Sequence, residues 1–251
     1  MKISLSKHEK IRYARHLNIP DFGIEGQLKL KNASVLIVGC GGLGSASATY
    51  LAAAGIGHIG LVDSDVVDLS NLQRQIMHGM ATLSQPKVIS ASERLKDINP
   101  NVKVAMFNER LVEENANAII GDYQIVVDAT DNFKTRYLIN SICVQKAIPF
   151  IYGAIFQFSG QMSVFDSKKG PCFQCVFRTL PTKEVIEANK GIGVIGALPG
   201  VIGSMQAIDT IKMITGLGKS MVNRLLIFDG LEMDFREIKT IKNLSCPICS
   251  Q

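Results

Sequence analysis

The stretch Gly39-Cys-Gly-Gly-Leu-Gly44 follows the β-branched apolar run Val35-Leu-Ile-Val38 and precedes the alanine-rich segment 45–54. A strand, a glycine turn and a helix in this order are typical of a nucleotide site, because glycines let the backbone approach a phosphate and a helix start offers free N–H groups. The alternative is a tight turn that binds nothing. The glycines expected to contact a nucleotide are Gly39, Gly41, Gly42 and Gly44.

A second apolar run, Ile59–Val62, ends in Asp63. In dinucleotide-binding folds an acidic residue about 20 residues after the glycine turn binds a ribose hydroxyl. We therefore expect Asp63 to face the same nucleotide as the glycine turn.

Composition limits the class of protein. Of 251 residues, 47% are hydrophobic and 20% are charged, and the net charge is +5, as in an ordinary soluble globular protein. The first residues lack the apolar core of a signal peptide, and the uncharged stretch 191–208 contains a proline and five glycines. We expect a cytoplasmic protein that binds neither nucleic acid nor a membrane.

Apolar runs and helical patterns alternate along the chain. After a capping-box helix at Ser6-Lys-His-Glu9 and a loop over 18–26, helices are expected after Pro86 and over 113–120 and 133–147, and further strands over 102–107, 125–129 and 150–155. This alternation predicts an α/β fold with a Rossmann-like, mostly parallel sheet.

From Gln161 onward, strands follow one another more closely, which predicts a C-terminal antiparallel extension. The expected elements there are strands over 162–165, 225–229 and 235–241 and a helix over 200–214. We interpret 1–251 as a single domain. Its parts are a helical arm (1–30), a nucleotide-binding part (31–158) and a part with a partner surface and paired cysteines (159–251).

The two C-x-x-C pairs predict a structural metal site. Four thiolates in two such pairs suit tetrahedral Zn²⁺, which would hold the C-terminal tail against the body. A redox dithiol is the alternative, and Cys40 and Cys143 are expected to fill space in the core. The predicted zinc ligands are Cys172, Cys175, Cys246 and Cys249.

Charged residues after the second and fourth strands predict a phosphate-rich ligand. Asp131 follows the fourth strand, at the edge of the sheet where open α/β folds bind ligands, and one carboxylate with phosphate oxygens suits Mg²⁺. Arg74 and Lys87 bring positive charge to the same edge, which favours a triphosphate. Each has an ordinary alternative: a surface charge for Arg74 or Lys87, and a helix cap for Asp128 or Asp131.

Several motifs occur in a familiar order: the glycine turn, Asp63-x-Asp65, Ser70-Asn-Leu-Gln-Arg-Gln75, Gln85-Pro-Lys87, Thr130-Asp-Asn132 and the two cysteine pairs. Together they resemble the MoeB/ThiF/HesA family, bacterial relatives of ubiquitin-activating enzymes. The resemblance implies a homodimeric adenylyltransferase. Such an enzyme uses Mg-ATP to adenylate the C-terminal Gly-Gly end of a ubiquitin-like sulfur-carrier protein in molybdopterin or thiamin biosynthesis, and releases pyrophosphate.

The resemblance also assigns roles. It implies that Asp131 binds Mg²⁺ and is catalytic, and that Arg15, from the Arg12-Tyr-Ala-Arg15 start, reaches the triphosphate in the other subunit. Arg74 and Lys87 are expected to act with them on the phosphates. The residues that would hold ATP are Gly39, Gly41, Gly42, Gly44, Asp63, Asp65, Ser70, Asn71, Arg74, Gln75, Lys87, Asp131 and Asn132.

One position departs from the family pattern. Some relatives carry a sulfur-transfer cysteine in the loop before Gly193-Val-Ile-Gly196, where this chain has Asn189. We expect adenylation without a covalent link to the carrier through that loop, and sulfur supplied by a separate sulfurtransferase. The alternatives from other classes are a nicotinamide-dependent oxidoreductase and a non-catalytic zinc-stabilised scaffold. Within the same class, adenylation of another protein or peptide C-terminus, as in microcin-type enzymes, also remains open.

Overall fold

The computed structural model describes residues 4–188 and 191–250, and its centre is one eight-stranded sheet. The strand order is β3-β2-β1-β4-β5-β6-β7-β8. The strands are β1 (Ser34–Val38), β2 (His58–Val62), β3 (Lys103–Phe107), β4 (Ile125–Asp128), β5 (Phe150–Phe156), β6 (Ser159–Phe165), β7 (Arg224–Asp229) and β8 (Asp234–Lys239).

The first five strands are parallel and the last three are antiparallel. Val38, the last residue of β1, lies beside both Val62 of β2 and Asp128 of β4. The carboxyl ends of these three strands therefore meet at one edge of the sheet. The α/β fold class, the mostly parallel sheet and the C-terminal antiparallel extension are confirmed.

Helices cover both faces of the parallel part. The described helices are α1 (Lys7–Arg12), α2 (Ala14–Leu17), α3 (Gly23–Asn32), α4 (Gly42–Ala54), α5 (Lys87–Ile98), α6 (Glu113–Gly121), α7 (Phe133–Lys146), α8 (Phe173–Val176), α9 (Lys183–Ala188) and α10 (Leu198–Thr215). No described helix is both long and apolar enough to cross a membrane.

The core lies in two layers because the side chains of β1 alternate between the faces of the sheet. Val35 and Ile37 pack in a cluster with residues of α4, α5 and α10. Leu36 and Val38 pack in the other cluster, with residues of α6 and α7. The continuous apolar run that leads to the glycine turn is thus a central strand buried on both faces.

The helix expected after Pro86 begins at Lys87, with Pro86 as its cap residue. Two local predictions are wrong. The loop expected over 18–26 ends earlier, because α3 begins at Gly23 and packs Gly26 against the Phe22 ring. The last strand ends at Lys239, and the Thr240 N–H donates to the Asn223 carbonyl.

Candidate active site

The glycine turn lies where β1 passes into α4. Gly39 has φ +98°, and a Cβ there would lie 2.6 Å from the Ala129 carbonyl oxygen. A Cβ on Gly44 would lie 2.0 Å from the Gly39 carbonyl oxygen. These two glycines are therefore required by the backbone, because the turn touches both the end of β4 and its own helix.

Gly41 differs from Gly39 and Gly44 because the position that a Cβ would take is unoccupied by other protein atoms. A Cβ on Gly41 would have only Gln75 Nε2 near it, at 3.7 Å. The Gln75 side chain is buried, and its Oε1 atom has no hydrogen-bond partner among the described residues. An open cradle beside an unpartnered buried oxygen is what a polar ligand would fill.

Asp63 holds the glycine turn to the end of β2. Its Oδ2 accepts the Cys40 N–H at 2.7 Å, and its Oδ1 accepts the Asp65 N–H at 2.8 Å. An ionised carboxylate has about four acceptor positions, so lone pairs remain for ribose hydroxyls. The position of Asp63 is compatible with the ribose contact expected from the sequence.

The segment after β2 brings cationic side chains to the turn. Lys87 Nζ lies 2.9 Å from Asp65 Oδ2, and its side chain is only 7% exposed. Arg74 donates to the Ser70 carbonyl at 3.2 Å, while Asp68 accepts both the N–H and the hydroxyl of Ser70. This segment lies next to the start of α4, because the Arg74 carbonyl oxygen is 3.5 Å from where a Gly42 Cβ would be.

The loop after β4 presents Asp131 to solvent. Its exposed side chain makes no hydrogen bond or ion pair within the part of the chain that the structure describes. Asn132 caps α7 by accepting the Thr135 N–H at 2.9 Å. The cap role considered for Asp128 or Asp131 therefore belongs to Asn132, and the Asp131 carboxylate is free for a cation.

Beneath this loop lies a buried ion pair that the sequence analysis did not identify. Asp128 Oδ2 is 3.5 Å from Arg136 Nε, and Asp128 Oδ1 accepts both the N–H and the hydroxyl of Thr130. Arg136 also donates to the Thr130 carbonyl at 2.6 Å. Burial raises the pKa of Asp128, whereas Arg136 and Thr130 lower it. The pair thus fixes the residue that precedes Asp131.

His78 is a second residue that sequence reasoning missed. It is 8% exposed, its Nε2 lies 2.9 Å from the Cys40 carbonyl oxygen, and its Nδ1 lies 2.8 Å from Ser90 Oγ. Burial lowers the pKa of His78, and the nearby Lys87 charge lowers it further. The only available signal in the sequence was a histidine three residues after the Arg-Gln pair at 74–75.

Arg15 is not at the site in its own subunit. Its neighbour Tyr13 packs beside Gly55, at the C-terminal end of α4, whereas the glycine turn begins that helix. A helix of 13 residues is about 20 Å long. The exposed Arg15 side chain makes no hydrogen bond or ion pair with the described residues. Of the expected phosphate-binding residues, it alone lies at the far end of α4.

The four paired cysteines form one buried cluster. Their Sγ atoms all lie within 4.8 Å of one another, and three of the separations are 3.9, 3.6 and 3.4 Å. Tetrahedral Zn²⁺ with Zn–S bonds of about 2.3 Å places sulfurs about 3.8 Å apart. A disulfide needs about 2.05 Å, so the arrangement fits a metal and not a disulfide.

Neighbouring amides support the cluster. The Asn243 N–H donates to Cys175 Sγ at 3.4 Å, and the buried Asn140 amide donates to Cys172 Sγ at 3.8 Å. Burial raises the pKa of Cys172. Burial opposes ionisation of Cys246 too, but the N–H groups of Ile248 and Cys249 help lower its pKa to about 7. Such N–H···S contacts favour thiolate ligands.

Two clefts lie at the opposite, amino-terminal edge of the parallel strands. One of about 430 Å³ is lined by Lys168, Lys239 and Lys242, and one of about 620 Å³ by residues that include Gln124 and Pro149. Neither touches the glycine turn. The glycine turn and the residues expected to contact a nucleotide lie at the other edge, at the carboxyl ends of β1, β2 and β4.

Two named proteins are similar in sequence to nearly the whole chain. Adenylyltransferase and sulfurtransferase MOCS3 from Culex quinquefasciatus is 45% identical over 247 residues, which are 98% of this chain and 56% of that protein. The sulfur carrier protein adenylyltransferase of Thermus thermophilus is 42% identical over 249 residues, 97% of this chain and 92% of that protein. The chain thus spans about half the length of the MOCS3 relatives.

Solved structures of E. coli MccB have the same fold. The structure of MccB with ATP superposes with a TM-score of 0.86 at 22% identity, over 97% of this chain and 75% of that one. At this identity the likeness concerns the fold. The ThiF family model matches residues 13–248, which is nearly the whole sequence. The chain belongs to the ThiF family.

Proposed function

We propose that this chain is an ATP-dependent adenylyltransferase that activates the C-terminal glycine carboxylate of a ubiquitin-like sulfur carrier. Two relatives support the proposal: both are named adenylyltransferases, and the one from Thermus thermophilus is matched over 92% of its length. The continuous sheet from β3 to β8 supports treating 1–251 as one adenylation domain.

The main support for the proposal is that cationic and anionic side chains meet beside the glycine turn. An open glycine cradle, two cations (Arg74 and Lys87) and the free carboxylate of Asp131 follow three adjacent strands. A hydride-transfer site has no need of a carboxylate and two cations beside the phosphates, whereas phosphoryl transfer does.

Within this site the chain acts mainly by position and charge. A carrier carboxylate oxygen attacks the α-phosphorus of ATP, and the bond from that phosphorus to the bridging oxygen breaks. The acyl-adenylate keeps the α-phosphate, and pyrophosphate takes the bond pair. Arg74 and Lys87 would reduce the repulsion between the carboxylate and the phosphates and stabilise the leaving group. Ionisation of the carboxylate beforehand means that no protein base is required.

The resemblance and the donor sets suggest two metals. The free Asp131 carboxylate suits Mg²⁺, which would neutralise charge on the phosphates. The four cysteines suit a structural Zn²⁺ that would fasten the segment after β8 to α8 and its cap residue. Asp63 would accept the ribose hydroxyls of ATP, while Ser70, Asn71, Gln75 and Asn132 would line the groove.

A separate sulfurtransferase is proposed because the cysteines of this chain are not available as sulfur carriers. Four of the six form the cluster, and Cys40 and Cys143 are buried. Burial raises the pKa of Cys40 well above its usual value, which disfavours the thiolate. The position of Asn189, where some relatives have a sulfur-transfer cysteine, lies outside the described residues.

We also propose a homodimer in which each subunit lends Arg15 to the other site. Large apolar side chains stay exposed on several helices: Ile11 on α1, Ile24 on α3, Tyr50 on α4 and Ile208 on α10. Exposed apolar residues on neighbouring elements favour contact with another protein surface.

Carrier-dependent ATP–pyrophosphate exchange tests the function. We expect exchange with at least one carrier ending in Gly-Gly and none with a carrier that lacks those glycines. Asp131→Asn should reduce the exchange rate at least a hundredfold, because it removes the carboxylate proposed to hold Mg²⁺. Asp122→Asn is the matched control, since this exposed aspartate lies before β4, at the other edge of the sheet.

Exchange that survives Asp131→Asn would overturn the role of Asp131. Absence of exchange with any Gly-Gly carrier, together with exchange promoted by a different peptide C-terminus, would move the chain to a different substrate class. Binding of NAD, with no effect of Mg-ATP on thermal stability, would contradict the whole proposal.

A further inference from the structure

The backbone of Cys40 is held from both sides at the centre of the glycine turn. Its N–H donates to Asp63 Oδ2 at 2.7 Å, and its carbonyl oxygen lies 2.9 Å from His78 Nε2. Because the N–H of this residue is already used inside the protein, Cys40 has no backbone donor left for a ligand. The backbone donors that can serve a ligand begin with the next residue.

His78 is itself fixed. A carbonyl oxygen only accepts hydrogen bonds, so Nε2 must carry the proton that it shares with Cys40. The other ring nitrogen lies 2.8 Å from the hydroxyl of Ser90 on α5, and that hydroxyl lies 3.0 Å from the hydroxyl of Thr82. In the neutral ring favoured by burial, Nδ1 carries no proton and faces the Ser90 hydroxyl. The ring orientation is thus set by α5.

The direction of the Cys40 carbonyl determines where the Gly41 N–H points. None of the described peptide bonds is cis, and in a trans peptide the C=O and the following N–H point in opposite directions. A carbonyl turned inward to His78 therefore turns the Gly41 N–H away from His78. Within the described ranges this N–H has no acceptor. An unpaired donor beside an open cradle is suited to an anionic oxygen.

We propose that His78 is a positioning residue that holds the Gly41 N–H in place as a hydrogen-bond donor to a phosphate oxygen of the bound nucleotide. The inference rests on the proposed function, because it assumes that ATP occupies the groove. It adds a specific task for a side chain that does not touch the ligand. Without the His78 donor, the peptide between Cys40 and Gly41 can rotate and remove one phosphate contact.

A pair of substitutions separates this task from simple packing. His78→Phe keeps a buried ring but loses the donor, whereas His78→Gln keeps an N–H that can reach the Cys40 carbonyl. We expect Phe to weaken Mg-ATP binding at least about tenfold, as loss of a hydrogen bond to a charged group does, and Gln to stay within about threefold. Titration calorimetry without carrier measures both.

The affinity for adenosine distinguishes the loss of a phosphate contact from a general disturbance of the site. It lacks phosphates, so His78→Phe should leave its affinity unchanged if only the phosphate contact is lost. Equal weakening of adenosine and ATP would mean that the substitution disturbs the whole site, which contradicts the proposal. Thr215→Val, which removes a buried hydroxyl at the far end of α10, controls for a general loss of stability.

The unchanged protein offers a test that does not depend on a variant folding. In the amide NMR spectrum, the Gly41 signal should move downfield by more than that of Gly55 on addition of Mg-ATP, since only Gly41 gains a phosphate acceptor. An unmoved Gly41 signal at saturation would overturn the inference while leaving ATP binding intact. If Mg-ATP does not bind at all, the proposed function fails first.

Discussion

The Asp128–Arg136 pair shows how a buried ion pair can fix the neighbouring loop, which carries Asp131. Asp128 is fully buried, and Arg136 is the nearest positive charge. Removal of one partner from a buried pair costs about 3–5 kcal/mol, because an uncompensated charge remains. We expect Arg136→Met to lower the free energy of unfolding by about this amount at pH 7.5, measured by denaturation in urea.

The loss should depend on pH with a definite sign. Burial raises the pKa of folded Asp128 above its ordinary value, and without Arg136 the pKa rises further. The folded variant then takes up a proton at a higher pH than the unfolded chain, so acidification stabilises it. Between pH 7.5 and 5.5 Arg136→Met should recover part of its loss relative to the wild type.

The double variant Asp128→Asn/Arg136→Met is the control. It has no buried charge at this position, so its stability relative to the wild type should not improve on acidification. A loss for Arg136→Met that is the same at both pH values would show that Asp128 is already protonated in the wild type, or that the missing bond to Thr130 accounts for the effect.

Site residues that belong to a recognisable sequence motif were predictable. Residues whose side chains bond to backbone carbonyls were not. Asp131 and Lys87 were identified because each follows a strand or begins a helix in a recognisable motif. His78 and Arg136 act through the carbonyls of Cys40 and Thr130. Every residue has such a carbonyl, and only the folded turn shows which ones face inward.

At the scale of the strand–turn–helix unit, substitution by alanine should have opposite effects at Gly41 and Gly44. It should reduce stability at Gly44 and ATP binding at Gly41. A Cβ on Gly44 would lie 2.0 Å from the Gly39 carbonyl oxygen, so Gly44→Ala should cost about 1–3 kcal/mol through overpacking. A Cβ on Gly41 meets open space, so Gly41→Ala should fold with a stability within about 0.5 kcal/mol of the wild type. Its methyl group would instead weaken Mg-ATP binding at least about tenfold.

Denaturation in urea and ATP titration separate the two effects. Wild-type affinity in Gly41→Ala would show that no ligand occupies the cradle beside Gln75. Wild-type stability in Gly44→Ala would mean that the turn relaxes away from the start of α4.

The segment after β8 should depend on the metal. Cys246 and Cys249 lie on it, and the Asn243 N–H donates to Cys175 Sγ, which ties the segment to α8. We expect about one zinc per chain, measured by elemental analysis, and rapid hydrogen exchange at Asn243 after chelation. Cys246→Ser should lower the zinc content, whereas Cys143→Ala, a buried cysteine outside the cluster, should not.

Full zinc content in Cys246→Ser, or a protected Asn243 amide after complete chelation, would contradict a structural zinc site. A fully folded protein isolated without zinc would do the same.

Helices and strands were predictable where the spacing of apolar residues was regular. They were less predictable where tertiary contacts, and not the local sequence, determine the element. The strands of the sheet were found to within a few residues. Helix α3 was partly read as a loop because Gly23 and Gly26 are poor helix formers. Tertiary packing outweighs that preference: Gly26 fits against the Phe22 ring, and the buried Gln27 donates to the Ala54 carbonyl.

For the molecule as a whole, the sheet explains why distant motifs share one edge. The order β2-β1-β4 places Asp63, the glycine turn and the Asp131 loop side by side, although they are separated along the chain. This juxtaposition was predictable from the rule that ligands bind outside the carboxyl ends of parallel strands. The two clefts at the other edge were not, since they depend on how α3 and the turn after β6 pack.

Arg15 lies near the C-terminal end of α4, whereas the glycine turn lies at the start of that helix. If Arg15 acts in the partner's site, Arg15→Ala and Asp131→Asn should each abolish carrier-dependent exchange, and mixing them should restore it. Random pairing makes half of the dimers mixed, and each mixed dimer has one complete site of two, so about one quarter of wild-type activity should return. Exchange is measured after co-refolding, with each variant mixed with itself as the control. No recovery in verified mixed dimers would mean that Arg15 acts within its own subunit or not at all.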